Sequence, residues 1–426
     1  MSMILRRLRF RDSIPLILTA LLTYALMGVF TAPFHGDEAT IISMGGDYYR
    51  FRDDPDSLRL RLPPPDAEYA AAQDLRLLNG VIAKYLIGGA WSFVGVPADL
   101  NKQWLWGADW DFNRANGHIP SERLLILARL TSALCLALSI LIVYACGQRC
   151  GGEWAGVGAA LVYTLMPAVL LNGRRAMHEG SFLLGISLVI LATLIVLARQ
   201  GEGRRLWRAW LYLGMAGGFA LATKHTAALL LMTVYPLLVW GGRRTIWRTL
   251  VQVGAAAGIT VVIFFALNPT WWDDPIRAAQ TVLTRRDELM RGQVAAFGGF
   301  QDGLERLTAL VGQPFGGAQY FEIAEGWRDW LAEPIQRYEG VLLGGLGMGL
   351  GGGMILLGVG VFGVIRVRFA GALALLWIAA GTAILLLATN PLAWQRYYLP
   401  LSVPYALLIG VGWRGEIVRL ARRKGG

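Results

Sequence analysis

The chain has 426 residues, of which 55% are hydrophobic and only 16% charged, against about 25% charged in an ordinary soluble domain. That excludes a soluble enzyme and a disordered chain. The formal charge of +11, from 40 Lys and Arg against 29 Asp and Glu, would suggest a nucleic-acid binder on a soluble protein, but on so apolar a chain it is first weighed against membrane topology.

Crossing a hydrocarbon core of about 30 Å takes roughly 20 apolar residues. Runs of that kind occur at 13–32, 124–146, 154–172, 180–198, 208–223, 225–241, 248–267, 341–364, 370–388 and 398–414, predicting an all-α polytopic membrane protein of about ten spans, or eleven, in a single domain over 1–426. The first run is long enough to span and lacks an A-x-A-like end, so it reads as a span rather than a cleaved signal. Residues 33–123 form a first outer loop with an amphipathic stretch from Asp74 to Val96, predicted as an interfacial helix. Runs five and six are separated only by Thr223, Lys224 and His225. Residues 268–340 form a second large outer loop whose Trp271, Trp272, Tyr320, Trp330 and Tyr338 suit a membrane–water boundary. Glycines from Gly344 to Gly363 lie in an apolar span, where small residues let helices approach closely. Cys135, Cys146 and Cys150, without C-x-x-C spacing, read as packing residues.

With the N-terminus cytoplasmic, the inner segments hold 19 Lys and Arg (Arg6 to Arg11, Arg149, Arg199 to Arg208, Arg243 to Arg248, Arg366, Arg368 and Arg414 to Lys424) against Asp12, Glu153, Glu202 and Glu416. That side carries +15 and the remainder −4, as the positive-inside rule requires, with both termini cytoplasmic. The protein is expected in the plasma (inner) membrane, with no nucleic-acid partner.

The unusual polar residues collect at the outer span ends: His35, Asp37 and Glu38; Arg174, Arg175, His178 and Glu179; Lys224 and His225; Gln395, Arg396, Tyr397 and Tyr398. Ionisable groups at membrane depth are costly, so their concentration marks a functional cavity. Asp37 and Glu38 supply a general base or a metal ligand, and Arg174, Arg175, Lys224 and Arg396 suit an anion such as a phosphate. An acid beside a phosphate clamp next to lipid points to a sugar carried on a polyprenyl phosphate and transferred to a hydroxyl acceptor: a protein Ser or Thr, a glycan or a lipid. His35, His178, Glu179, Gln395 and Tyr397 are weaker substrate-binding candidates. No cofactor is required; a divalent metal at Asp37, Glu38 and His35 is the weaker reading, since no tight ligand spacing is present. Asp274 before Pro275 reads as a helix cap.

The string His35-Gly36-Asp37-Glu38-Ala39 resembles the acidic motif of membrane glycosyltransferases of the C-type (GT-C) fold, notably the protein O-mannosyltransferase family and its bacterial relatives. Ala83-Lys84-Tyr85-Leu86-Ile87-Gly88, Arg174-Arg175-Ala176-Met177-His178-Glu179-Gly180, Thr223-Lys224-His225-Thr226 and Trp394-Gln395-Arg396-Tyr397-Tyr398-Leu399-Pro400 are similar to further segments of that family, in order along the chain. The resemblance implies inverting transfer from a polyprenyl-phosphate sugar on the extracytoplasmic face, with Asp37 as base, Glu38 positioning it or binding acceptor, and Lys224, Arg175 and Arg396 on the lipid phosphate. Asn79-Gly80-Val81-Ile82 departs from the His-Pro-Pro often found before Ala-Lys in the family. The alternatives are a lipid-carrier flippase or transporter, and transfer of a lipid-linked sugar onto lipid A or a cell-wall polymer.

Overall fold

The computed structural model describes residues 2–95, 101–202, 207–322, 326–367 and 370–423, and among these every regular element is helical. Helix α1 (Ser2–Met27) leads into the segment expected as the first outer loop, where α2 (Gly36–Ser43), α3 (Asp47–Asp53), α4 (Ala67–Leu78), α5 (Ile82–Val94) and α6 (Trp110–Ala115) form. The bundle continues with α7 (Glu122–Gly151), α8 (Glu153–Leu165), α9 (Pro167–Arg174), α10 (Glu179–Glu202), α11 (Trp207–Thr223), α12 (Ala227–Gly241) and α13 (Ile246–Leu267). The segment expected as the second outer loop forms α14 (Pro275–Phe297), α15 (Gly303–Phe315) and α16 (Gly326–Gly340), and α17 (Gly349–Val367), α18 (Ala370–Thr389) and α19 (Leu399–Arg423) complete the bundle.

Helix occupies each of the ten apolar runs. By length and composition five segments suffice to cross a membrane: α7, Glu179–Gln200 of α10, Arg243–Leu267 including α13, Gly349–Arg366 of α17 and Gly371–Thr389 of α18. Counting each strongly bent pair as one span raises this to seven; the figure of ten rests on the sequence runs alone. These helices are apolar all round, so each face must meet either protein or lipid. Leu136 and Ile140 of α7, Tyr163 of α8, Phe182 and Ile186 of α10 and Leu407 of α19 form the buried centre. Val262, Met354 and Ile384 are exposed at the periphery. Close approach of α17 and α19 depends on glycine: a Cβ on Gly363 would lie 2.4 Å from the Gly412 carbonyl oxygen. Among the basic residues expected on the cytoplasmic side, Arg204, Arg205, Arg368 and Lys424 lie outside the described residues.

Two breaks shape the end of the bundle where the acidic and basic motifs meet. Run three is not one helix, because Pro167 has no N–H to continue α8 and Met166 is extended; α8 and α9 meet at 66°. This turns Arg174 back against the end of α1 and Arg175 against Pro33 just beyond it. Of the stretch from Asp74 to Val96, expected as one interfacial helix, Val96 lies outside the described residues, and the rest falls in two helices, α4 and α5, bent by 110°. The reason is contact. Val81 N–H donates to the Ala222 carbonyl at 2.7 Å, and a Cβ on Gly80 would sit 1.9 Å from the Thr223 carbonyl oxygen. Only glycine lets this stretch dock on the α11–α12 turn that carries Lys224. At α14 the expected cap forms: Asp274 accepts from the Arg277 N–H at 2.9 Å, with Pro275 in the first turn.

Candidate active site

The acidic pair sits at the start of α2, where a capping box sorts the two side chains. His35 Nδ1 accepts from the Asp37 N–H at 3.1 Å, and the His35 N–H donates to Glu38 Oε1 at 3.0 Å. Glu38 is fully buried. Arg129 of α7 donates to both its oxygens, at 2.7 and 2.8 Å, and the Ala176 N–H donates at 2.9 Å. Burial would raise this carboxyl, but Arg129, Arg175 and the Ala176 N–H outweigh it and hold it below its ordinary value. Glu38 thus ties α2 to α7 and to the segment after α9. Asp37, one residue earlier, has a side chain 25% exposed and faces a cavity of about 450 Å³.

Two groups brace Asp37. Arg396 donates to its Oδ2 and also stands 3.2 Å from Glu322. Because His35 Nδ1 is an acceptor, its Nε2 carries the proton and donates to Glu322 Oε2 at 2.7 Å. Glu322, from the segment between α15 and α16, is buried enough for its carboxyl to rise, yet Arg396 and His35 hold it well below the usual carboxylate range. The chain Asp37, Arg396, Glu322, His35 therefore joins three parts of the sequence around one acid.

Lys224 lines the same cavity from the α11–α12 turn, its Nζ donating to Glu179 Oε1 at 2.7 Å. Burial pulls the ammonium below its usual value, with Arg396 and Arg286 acting in the same direction and Glu179 opposing them. Tyr397 packs its ring beneath Lys224, Arg286 and Arg396. Arg286 of α14 has no carboxylate in ion-pair contact among the described residues. A second cavity of about 330 Å³ shares Leu78, Asn79, His178, Lys224, Arg286 and Tyr397 with the first and continues along Leu229, Leu283, Met290 and Leu386. Cations thus stand where the chamber of Asp37 meets a largely apolar corridor between α12, α14 and α18, which His225, Thr226, Thr389 and Asn390 also line. Neither Arg286 nor Glu322 was singled out from the sequence.

Asp37, His178, Glu179, Lys224, Arg396 and Tyr397 all reach the chamber wall. Arg174, Arg175 and Gln395 do not. Arg174 donates to the Tyr24, Ala25 and Leu343 carbonyls and to the Tyr338 hydroxyl, joining α9 to α1 and to the turn after α16. Arg175 donates to the Pro33 and Tyr320 carbonyls, bracing the chain just before His35 and Glu322. Gln395 holds Gln319, Gln313 and Gly317. Arg174→Met should leave donor affinity within twofold of wild type while lowering stability by about 1–3 kcal/mol through unsatisfied buried carbonyls, read as a fall in Tm in detergent. Lys84 of α5 is also internal: with Arg76 it neutralises buried Asp47, at 2.7 and 3.0 Å. Burial alone would raise Asp47, but the two cations bring its carboxyl down to about 2. Among the described residues no group of three His, Cys, Asp or Glu is placed to hold a metal; Glu38 and His35 are engaged by the contacts above.

Residues 61–272 match the model of the dolichyl-phosphate-mannose-protein mannosyltransferase family. Over 96% of its length the chain superposes on ArnT from Cupriavidus metallidurans bound to undecaprenyl phosphate, with TM-score 0.51 and 14% identity. It superposes over the same share on the oligosaccharyltransferase AglB from Archaeoglobus fulgidus in complex with an inhibitory peptide and a dolichol-phosphate, with TM-score 0.53 and 13% identity. The chain has the C-type (GT-C) glycosyltransferase fold. It spans 63% of that ArnT chain and 51% of that AglB chain. No curated protein matches it in sequence. Within this GT-C chain the family match covers Lys84, Arg175, Glu179 and Lys224, and it begins after Asp37 and ends before Arg286, Glu322 and Arg396.

Proposed function

We propose that the chain transfers a glycosyl group, with inversion, from a polyprenyl-phosphate donor to a hydroxyl acceptor on the extracytoplasmic face. The observation that carries this is the continuity of the two cavities: a partly exposed carboxylate, Asp37, at one end, cations Lys224 and Arg286 at the junction, and an apolar corridor beyond. A lipid-linked donor has that order of parts, namely sugar, phosphate and hydrocarbon. The presence of undecaprenyl phosphate and dolichol-phosphate in structures of the same fold supports the reading.

In this mechanism Asp37 accepts the proton of the acceptor hydroxyl, whose oxygen attacks the anomeric carbon from the face opposite the phosphate. The bond from that carbon to the phosphate oxygen breaks, and the electron pair leaves on polyprenyl phosphate. Lys224 and Arg286 take up its negative charge. Arg396, shared between Asp37 and Glu322, fixes the carboxylate's direction.

The test is incubation of purified protein in detergent with polyprenyl-phosphate sugars and hydroxyl acceptors, with release of polyprenyl phosphate as the readout. Lys224→Ala and Arg286→Ala should each raise the donor KM by about 10–100-fold, the worth of a charge-assisted hydrogen bond, with the acceptor KM little changed. Absence of release with every donor, or an unchanged donor KM in both variants, would overturn the assignment. Movement of an intact lipid-linked sugar across proteoliposomes without its cleavage would point to a flippase instead.

A further inference from the structure

Four buried polar atoms of residues on the chamber wall have no hydrogen-bond partner: Thr40 Oγ1, Arg396 Nε, His178 Nδ1 and Glu179 Oε2. Two of them, His178 Nδ1 and Glu179 Oε2, come from consecutive residues at the start of α10, which are 7% and 2% exposed. Both residues line the chamber that contains Asp37 and Arg396, and His178 also lines the corridor junction. A buried polar atom without a partner costs about 1–3 kcal/mol, so such atoms in a native fold call for an explanation.

The surrounding bonds determine what the two atoms offer. Asn79 uses its Nδ2 to donate to the Leu75 carbonyl at 3.0 Å, which leaves its Oδ1 as an acceptor 3.2 Å from His178 Nε2. His178 therefore carries its proton on Nε2 and presents a bare lone pair at Nδ1. Burial pulls this imidazole down to about 4, which keeps it neutral near pH 7. Glu179 spends Oε1 on Lys224, and its Oε2 is an acceptor as well. Of the four unpartnered atoms these two can only accept, whereas Thr40 Oγ1 can donate or accept and Arg396 Nε donates and faces Glu322 at 3.2 Å. The charge of Glu179 is already balanced by Lys224, and Arg286 and Arg396 stand nearby, so an ammonium group gains little there. Hydroxyl groups satisfy both atoms at no electrostatic cost.

Building on the reading of this chamber as the site of a polyprenyl-phosphate sugar, we infer that His178 Nδ1 and Glu179 Oε2 each accept a hydrogen bond from a hydroxyl of the donor sugar. They thereby select a neutral, hydroxylated glycosyl group and reject one carrying a carboxylate. An acidic sugar would bring acceptor oxygens against these two lone pairs and leave both without a donor.

The test is binding to the purified chain in detergent micelles, by thermal-shift titration, of four kinds of ligand: polyprenyl phosphate alone, a polyprenyl-phosphate hexose, its monodeoxy analogues and the corresponding uronosyl lipid. The hexosyl lipid should bind about 30-fold tighter than bare polyprenyl phosphate, and two of the deoxy analogues should each lose about fivefold to tenfold. His178→Phe should abolish sensitivity to one of those two hydroxyls and leave the other. Glu179→Gln frees Lys224 for every anionic lipid alike, so its readout is a ratio: preference for the hexosyl over the uronosyl lipid should shrink at least about fivefold. Equal binding of hexosyl and bare lipid, or a deoxy and uronosyl pattern unchanged in both variants, would overturn this inference alone. Failure of bare polyprenyl phosphate and of every lipid-linked sugar to bind would overturn the underlying reading with it.

Discussion

Asp37→Asn is expected to lower the turnover of glycosyl transfer by about 10²–10⁴-fold, the span that one positioned general base supplies. The substitution keeps the size of the side chain and one carbonyl oxygen for the Arg396 guanidinium, and Glu322 remains to balance that cation. Asp37 contributes no contact to Glu38, Arg129 or Ala176, which hold the start of α2 in place. The variant should therefore purify like the wild type and bind donor within about twofold of it, so the loss falls on turnover rather than on donor KM. Turnover retained within tenfold in a purified Asp37→Asn protein would remove Asp37 from the role of base. A loss of donor affinity matching the loss of rate would make it a binding group instead.

The physical reason that Asp37 and Lys224 stand out in the sequence is cost. A charged residue beside an apolar run is rare, and it persists where a wet cavity or a buried partner keeps it. That argument does not separate the cavity from the partner. Arg174 and Arg175 satisfy it by capping backbone carbonyls, and Glu38 by an internal ion pair, although each has the same sequence signature as Lys224. Their difference arises from the bend at Met166 and Pro167, which turns Arg174 against the end of α1 and Arg175 against Pro33 beyond it. Proline made a break there foreseeable, but not where the turned residues would end. Arg286 and Glu322 escaped notice for the opposite reason. Arg286 lies in α14 among Arg277, Arg285 and Arg291, an amphipathic helix in which one more arginine is unremarkable. Glu322 lies in a segment between helices where an acid carries no desolvation signal until its partners His35 and Arg396 are known. The helices followed directly from the apolar runs. The break at Gly80 was written in Asn79-Gly80, a turn signal, but its purpose, docking on the Lys224 turn, depends on a carbonyl more than 140 positions away.

The largest expected stability effect belongs to the other half of the acidic pair. Glu38→Ala or Arg129→Ala removes one member of an ion pair whose side chains are 0% and 5% exposed. Breaking such a pair from one side costs about 3–5 kcal/mol, because the remaining charge stays buried. Arg129 would keep only the Val29 carbonyl, at 3.3 Å. Either variant should show a large fall in Tm and in monodisperse yield, and Glu38→Gln with Arg129→Met together should be far milder than the sum of the single changes, since the pair is replaced by uncharged groups. Acidification offers an independent check. The Glu38 carboxyl lies below its ordinary value in the fold, so its contribution is fully present above that ordinary value, 4.5, and is lost as pH falls through the lower folded-state value. Wild-type stability should therefore decline on acidification from about pH 4.5 downward, and the double variant should lack that share of the decline. A Glu38→Gln protein as stable as wild type would show that the carboxylate does not hold α2 to α7. A well-folded Glu38→Gln protein with turnover as low as that of Asp37→Asn would move Glu38 from the scaffold into the chemistry.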